Sequence, residues 1–465
     1  MIFWSFFIKN KAWLGAGALL TLSSSYGQTF FISLFADQIM NDFNLTHGQW
    51  GGIYAISTTL SAVVMVWAGA LTDKYRTRYL GLIFLCVLAF TCLMVSINFS
   101  ILILPILIFL LRFSGQGMLS HIGSVSMARW FVASRGKALA IATLGFSFGE
   151  AILPMSVALL LTIIYWKYVW IIAAILTLLT IPILQKLLKV ERTPQSNTSS
   201  IQSVGILGKR HWTRNQVLSH WLFWFYFPSI MSIAMWGTAL FFQQVHLSSS
   251  KGWTLFQFTS LIPIYTCSTI LSMMLYGWAI DRYGSGRLLT LYQIPMAVSF
   301  FLFGFGDSII IAGFAFILFG ITHGANSTIP GAFWAEYFGT KHLGSIKAMA
   351  TAVSVLGSAL GPAISGALID YGIPFSKQMP IISIFGLILG LFLRPGFSIG
   401  FSRLFSFFTM SFSSSISVDI GFGSLIVLDI FFHKAFSSEL RFLPFDTINP
   451  YTLCSCFNQY PIRII

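Results

Sequence analysis

Apolar runs of about 20 residues, the length that crosses a bilayer as a helix, follow one another along the chain with short polar breaks between them. Twelve such runs can be placed, six before residue 186 and six after residue 216. In the first half they fall at 12–36, 48–72, 79–97, 100–127, 137–164 and 166–185. In the second they fall at 217–243, 255–280, 287–305, 308–334, 345–369 and 376–393. Between the two sets lies a polar, turn-rich stretch containing Thr-Pro-Gln-Ser-Asn-Thr-Ser-Ser, which reads as a linker. The pattern predicts an all-α membrane protein of twelve transmembrane helices in two pseudo-symmetric six-helix bundles. Their expected bounds are 1–185 and 217–394, joined by a linker at 186–216. Beyond Arg394 the segment 395–465 is dense in Phe and Ser, and its one apolar run, Gly421 to Phe432, is interrupted by Asp429. That tail is expected to be disordered or out of frame and is assigned no function.

The halves repeat. Gly69-Ala-Leu-Thr-Asp73-Lys-Tyr-Arg76-Thr-Arg78 returns as Gly277-Trp-Ala-Ile-Asp281-Arg-Tyr-Gly-Ser-Gly-Arg287, with 281−73 = 208. Gly136 and Gly344 (344−136 = 208), Pro154 and Pro362 (362−154 = 208), and Gly117 and Gly324 (324−117 = 207) keep the same register. An ordinary basic loop would explain one copy of the motif, but two copies in register point to a duplication.

This loop resembles the signature between the second and third membrane helices of the major facilitator superfamily, where a Gly, an Asp four residues on and clustered basic residues join two helices on the cytoplasmic side. Here Gly69, Asp73 and Arg78, and again Gly277, Asp281 and Arg287, take those places. The resemblance implies cytoplasmic gate loops and a transporter whose central cavity is faced by the first, fourth, seventh and tenth helices. A Gly at a helix end lets backbones approach closely, and an Asp can cap or charge-pair there.

Basic residues set the expected orientation, because Lys and Arg in short loops stay in the cytoplasm. With the N-terminus inside, eighteen Lys and Arg fall on inside segments, against Lys167, Lys251 and Lys377 outside. Both termini are therefore expected in the cytoplasm, with the protein in the cell (inner) membrane. The net charge of +14 is spread over these loops and forms no patch, so nucleic-acid binding is not expected. Only 9% of residues are charged and 56% are hydrophobic, against about 25% charged in soluble proteins. The five cysteines show no CxxC spacing and no His partner, so no metal or cofactor is expected. The absence of a phosphate loop or a Ser/His/Asp set argues against an enzyme and against ATP-driven transport.

Two charged residues fall deep in spans, where charge is expensive. Arg112, in Leu-Leu-Arg-Phe-Ser-Gly-Gln-Gly, could hold a carboxylate bidentately or serve a structural ion pair. Glu150, in Gly-Phe-Ser-Phe-Gly-Glu, reads as its natural partner and as a proton-coupling site, since burial and a nearby cation pull its protonation in opposite directions. Tyr26 and Gln28 on the first span, Gln116 on the fourth, Trp236 on the seventh, and His323 and Asn326 on the tenth are the remaining candidates for the cavity. Hydroxyls and amides at such depth bond neighbouring helices or face water, and a His there is either a titrating group or a packing residue. Gly27 and Gly237 would permit the bending of broken helices found at transporter sites.

Arg129-Trp130-Phe131 before Arg135-Gly136-Lys137, and Glu336-Tyr337-Phe338 before Lys341, resemble the monocarboxylate and oxalate:formate branch. That branch is associated with a basic residue in the eighth helix, and 255–280 has none. The Gly-x-x-x-Gly-Pro of drug antiporters appears in the eleventh span, at Gly357, Gly361 and Pro362, and not in the fifth. The expected activity is secondary active transport of a small organic anion by alternating access, coupled to protons and carried out by a monomer. Efflux of amphipathic compounds and a non-transporting membrane sensor of the same fold are the alternatives.

Overall fold

A computed structural model describes residues 2–69, 71–131, 135–190, 204–289, 291–339 and 341–392. The side chains of a few residues within these segments, Asp73 and Asp281 among them, lie outside the described set. So do Arg394 and the tail 395–465. Each of the twelve expected spans is found as helix among the described residues. The chain is an all-α membrane protein of two six-helix bundles. Among the described residues, eight helices are long and apolar enough to cross a membrane by length and composition alone.

In the first bundle the second span (His47–Ala68), third (Thr77–Ile97), fifth (Arg135–Leu160) and sixth (Trp166–Leu187) are regular helices. The first and fourth are not. Helix Ile2–Ser23 gives way to a 3-10 turn at Ser24–Gly27, then to the one-turn helix Thr29–Ile32, with Gln28 extended at φ −86°, ψ 156°. The fourth span runs Leu104–Leu111, widens to a π-helix at Arg112–Leu119 and returns to α at Ser120–Trp130. The second bundle is more regular. Its seventh span is Trp221–Phe242, its eighth Leu255–Thr259 and Ile262–Tyr283, its ninth Ile294–Phe305, its tenth Ile309–Phe338, its eleventh Leu343–Asp370 and its twelfth Phe375–Phe392.

Packing follows the duplication. The first span lies on the fifth as the seventh lies on the eleventh, the third on the sixth as the ninth on the twelfth, and the second on the fourth as the eighth on the tenth. Between bundles the second span meets the eleventh and the fifth meets the eighth, two contacts that the same pseudo-twofold exchanges. A further landmark confirms the register. The second span starts with a capping box in which the Gln49 amide donates to Thr46 Oγ1 at 3.2 Å and the Thr46 amide donates to Gln49 Oε1 at 3.0 Å. Thr254 and Gln257 repeat it at the start of the eighth, with 254−46 = 208. This pattern was legible in the sequence as Thr-x-x-Gln before an apolar run.

Contacts between the bundles concentrate at the end of the molecule that carries Thr46 and Asp370. Asp370 accepts from Thr46 Oγ1 at 2.6 Å and from the Gly48 amide at 2.8 Å. Gln244 Nε2 donates to the Phe30 carbonyl and to Ser33 Oγ, and Ser33 Oγ donates to the Phe241 carbonyl. Trp50 stacks on Phe242 across the seam, with centroids 5.7 Å apart. A polar network, Tyr226 to Tyr292 to Ser229 with Gln293 Nε2 on Ser229, ties the seventh and ninth spans inside the second bundle.

Candidate functional site

Where the first span breaks, it crosses the π-segment of the fourth. Gly27 and Gly115 meet back to back: a Cβ on Gly115 would lie 2.7 Å from the Gly27 Cα, and one on Gly27 would overlap the Leu111 carbonyl. Any larger residue at either place would force the two backbones apart. The break leaves the Gly27 carbonyl free of a helical partner, and Arg112 supplies one. Its Nη1 donates to Gly27 O at 3.1 Å and to Thr29 Oγ1 at 3.3 Å, and Thr29 Oγ1 shares a 2.5 Å hydrogen bond with the Tyr54 hydroxyl. The guanidinium carbon lies 5.2 Å from the centre of the Tyr54 ring, within cation–π range.

Arg112 is 1% exposed, so it is not directed at lipid. Its Nε and Nη2 are buried and have no hydrogen-bond partner among the described residues. These two nitrogens form one edge of the planar guanidinium, and their N–H groups point in parallel. That is the edge that grips both oxygens of a carboxylate. Leaving buried cationic donors unmade is costly, which sets this group apart from a merely structural arginine.

Glu150 is not its partner, contrary to the sequence expectation. The two residues sit at similar distances from their helix ends, but the first span runs between them. Thr21 Oγ1 of that span donates to the Ala142 carbonyl of the fifth, and a Cβ on Gly149 would overlap Ser25 Oγ, so the fifth span is packed against the far side of the first. Glu150 is buried and makes no ion pair among the described residues. It lies instead within electrostatic reach of Tyr265 in the second bundle. The Tyr265 hydroxyl is 3.0 Å from His323 Nδ1, and His323 Nε2 is buried and unpartnered, facing Gly237.

The predicted cavity residues thus form two groups. Tyr26, Gln28 and Gln116 gather with Arg112 at the Gly27–Gly115 crossing, with Tyr26 and Gln28 buried and Gln116 half-buried. Trp236, beside Gly237, and His323 make the second group, with half-buried Asn326 one turn further along the tenth span. Gly27 breaks its helix as expected. Gly237 does not, because the seventh span continues through it; the lack of a side chain there admits His323, whose Nε2 would be 2.9 Å from a Cβ. Sequence reasoning missed Thr29, Tyr54 and Tyr265. Tyr54 lies one helical turn after Trp50 in an otherwise apolar run, and nothing in that spacing announces a guanidinium neighbour.

Of the two gate-loop glycines, Gly69 ends the second span with a Cβ position 3.0 Å from Met65 O, whereas Gly277 has open space around it. Close backbone approach therefore does not account for Gly277. Arg78 Nε donates to Gln185 Oε1, tying the loop to the sixth span, and Arg287 lies in the short helix Ser285–Leu288. The carbonyl of Thr72 accepts from Arg129 Nη1 at 2.8 Å. In the second bundle Glu336 holds the corresponding loop by accepting from the Ser285 amide and hydroxyl. Arg129 and Glu336 are register mates (336−129 = 207), so the same clamp is built with opposite charge in the two halves.

Comparison with known proteins agrees with this architecture. The family model described as Major Facilitator Superfamily matches residues 17–362, and the chain belongs to that superfamily. It is accordingly a membrane transporter of small molecules and not an enzyme. No curated protein sequence matches the chain. Among solved structures, a variant of the nucleoside transporter NupG is similar with a TM-score of 0.62 and 16% identity, covering 84% of this chain and 100% of that one. A bacterial homologue of the human lysosomal transporter Spinster, in an inward-facing and unoccupied conformation, is similar with a TM-score of 0.59 and 16% identity, covering 86% of this chain and 95% of that one. At such identities the likeness is one of fold.

Proposed function

We propose that the protein is a secondary active transporter of a small organic anion, carrying a carboxylate on the free edge of Arg112. The observation that carries this reading is the buried guanidinium whose Nη1 is held by Gly27 and Thr29 while Nε and Nη2 have no partner among the described residues. Tyr26, Gln28 and Gln116, on the segments that meet at the Gly27–Gly115 crossing, and Trp236, His323 and Asn326 of the second bundle would contact the rest of the substrate. The resemblance of the Arg129-Trp130-Phe131 stretch to the monocarboxylate and oxalate:formate branch supports the same substrate class.

Transport proceeds by rocking of the two bundles, 1–185 and 217–394, about the central site. Because the bundle-to-bundle contacts gather at the Thr46 and Asp370 end, the structure is read as closed on that face. With the basic loops in the cytoplasm, this is the outer face of the cell membrane, both termini are cytoplasmic, and Gly69–Arg78 and Gly277–Arg287 border the opening. Protons drive the cycle through Glu150, which answers to the second bundle through Tyr265 and His323 and not to Arg112 directly. Moving the bundles apart would remove those neighbours and change the affinity of Glu150 for its proton.

Uptake of labelled mono- and dicarboxylates into proteoliposomes under an imposed proton gradient tests the reading, with Arg112→Gln as control. Saturable uptake of a carboxylate that disappears in Arg112→Gln is expected. Uptake of uncharged or cationic solutes unaffected by that variant would overturn it.

A further inference from the structure

At the closed face one histidine from each bundle meets the other. His47 opens the second span, and His246 lies in Gln244–Ser250 after the seventh; their ring centroids are 4.8 Å apart and their planes are crossed at 76°. His246 Nε2 is buried without a partner. The pair is flanked on one side by the Asp370 clamp on Thr46 and Gly48, and on the other by the Trp50–Phe242 stack. It therefore sits in the middle of the seam that must part if the protein is to open on this side.

We propose that His47 and His246 form a latch that a proton releases, so that acid on this face favours separation of the bundles. The inference rests on the alternating-access reading. It does not depend on the identity of the substrate.

The surroundings explain why protonation would work in that direction. Elements packed against Gln244–Ser250 are Ser33–Phe35, Ala36–Phe43, the seventh span, Leu255–Thr259 and the twelfth span. Of their acids, Asp42 pairs with Lys167 at 3.8 Å, and Asp37 lies within electrostatic reach of His47. Lys251 is held by Asp307 at 2.7 Å, Lys377 is exposed, and Asp370 is engaged by Thr46 and Gly48. A proton on His246 thus meets a buried site and the neighbouring His47 ring, and none of these acids is paired with it.

Burial, followed by the proximity of His47, pushes His246 down to about 4 from 6.5. A base whose affinity for protons is lowered in the closed form stabilises that form above its free value and weakens it as pH falls from 6.5 towards 4. At pH 5 the open-to-closed ratio should rise by about 30-fold relative to pH 7.5.

Spin labels at exposed Gln49→Cys and Tyr371→Cys, one on each bundle, report the seam in the purified protein with its native cysteines replaced by serine. Between pH 7.5 and pH 5, without substrate, a longer-distance population should grow by about 30-fold relative to the short one. It should not grow in His246→Gln, or in His246→Asn should that variant fail to fold, and should grow by less in His47→Asn, which leaves the burial of His246 in place. Asp370→Asn should lengthen the distance at both pH values, since its clamp is independent of the histidines. A pH-invariant distance that still lengthens in Asp370→Asn would overturn the latch and leave rocking intact. Distances fixed in every variant would overturn both the latch and the alternating-access reading. Equal acid opening with and without the histidines would also overturn the latch.

Discussion

The two bundles share a fold and a register but divide the chemistry unequally. In the first, the helices that cross at the centre are broken: one at Ser24–Gly27, the other by a π-segment at Arg112–Leu119. In the second, their counterparts Trp221–Phe242 and Ile309–Phe338 run through unbroken. Where the first bundle has Arg112 the second has Phe319 (319−112 = 207), and where the first has Glu150 the second has Ser358 (358−150 = 208). A broken helix exposes a carbonyl that needs a donor, and a buried cation needs an acceptor. The two irregularities answer each other, and so they occur together in one bundle. The second bundle supplies aromatic surface and the Tyr226–Tyr292–Ser229–Gln293 network, which hold shape without charge.

That asymmetry can be broken by substitution. Arg112→Gln should reduce carboxylate uptake at least 100-fold, because each hydrogen bond to a charged group contributes about 1.5–3 kcal/mol and two are lost. Phe319→Leu should lower the melting temperature and leave the apparent affinity unchanged. Equal losses of affinity in both variants would mean that the site is shared evenly. Glu150→Gln should abolish proton-driven accumulation while substrate exchange across the membrane persists, whereas Ser358→Ala should do neither. Accumulation surviving in Glu150→Gln would move the proton elsewhere. Gly27→Ala is expected to destabilise the protein by about 3 kcal/mol through overlap at the Gly115 crossing, while Gly277→Ala, into open space, should be neutral or stabilise by up to about 1 kcal/mol. Thermal melting in detergent distinguishes them. The smallest effect is expected of Tyr292→Phe, which removes a hydroxyl shared by Tyr226 and Ser229 and should cost about 1 kcal/mol with transport retained.

Asp370 from the second bundle closes on the first turn of the second span, where a carboxylate is favoured by the free amide groups of a helix start. The clamps at the opposite end, Arg129 on the Thr72 carbonyl and Glu336 on Ser285, each stay within one bundle. Among the described residues the hydrogen bonds across the seam are thus made at the end that carries Thr46 and Asp370, and these two loop clamps each lie within one bundle.

The sequence by itself determined the span count, the duplication and the family, because each follows from local features: apolar length, a repeated loop and a register of 208 residues. It also located Arg112 and Glu150, since a charge in an apolar run is conspicuous wherever the run folds. Only the tertiary structure decided what those charges face. Thr29 and Tyr54 beside Arg112, the first span standing between Arg112 and Glu150, and Tyr265 with His323 on the far side are all set by which helices cross and how they are rotated. Rotation depends on packing among many small residues on several helices at once. A break at Ser24–Gly27 and a π-turn at Arg112 shift side chains by a fraction of a helical turn, and no periodicity along a single span records that shift.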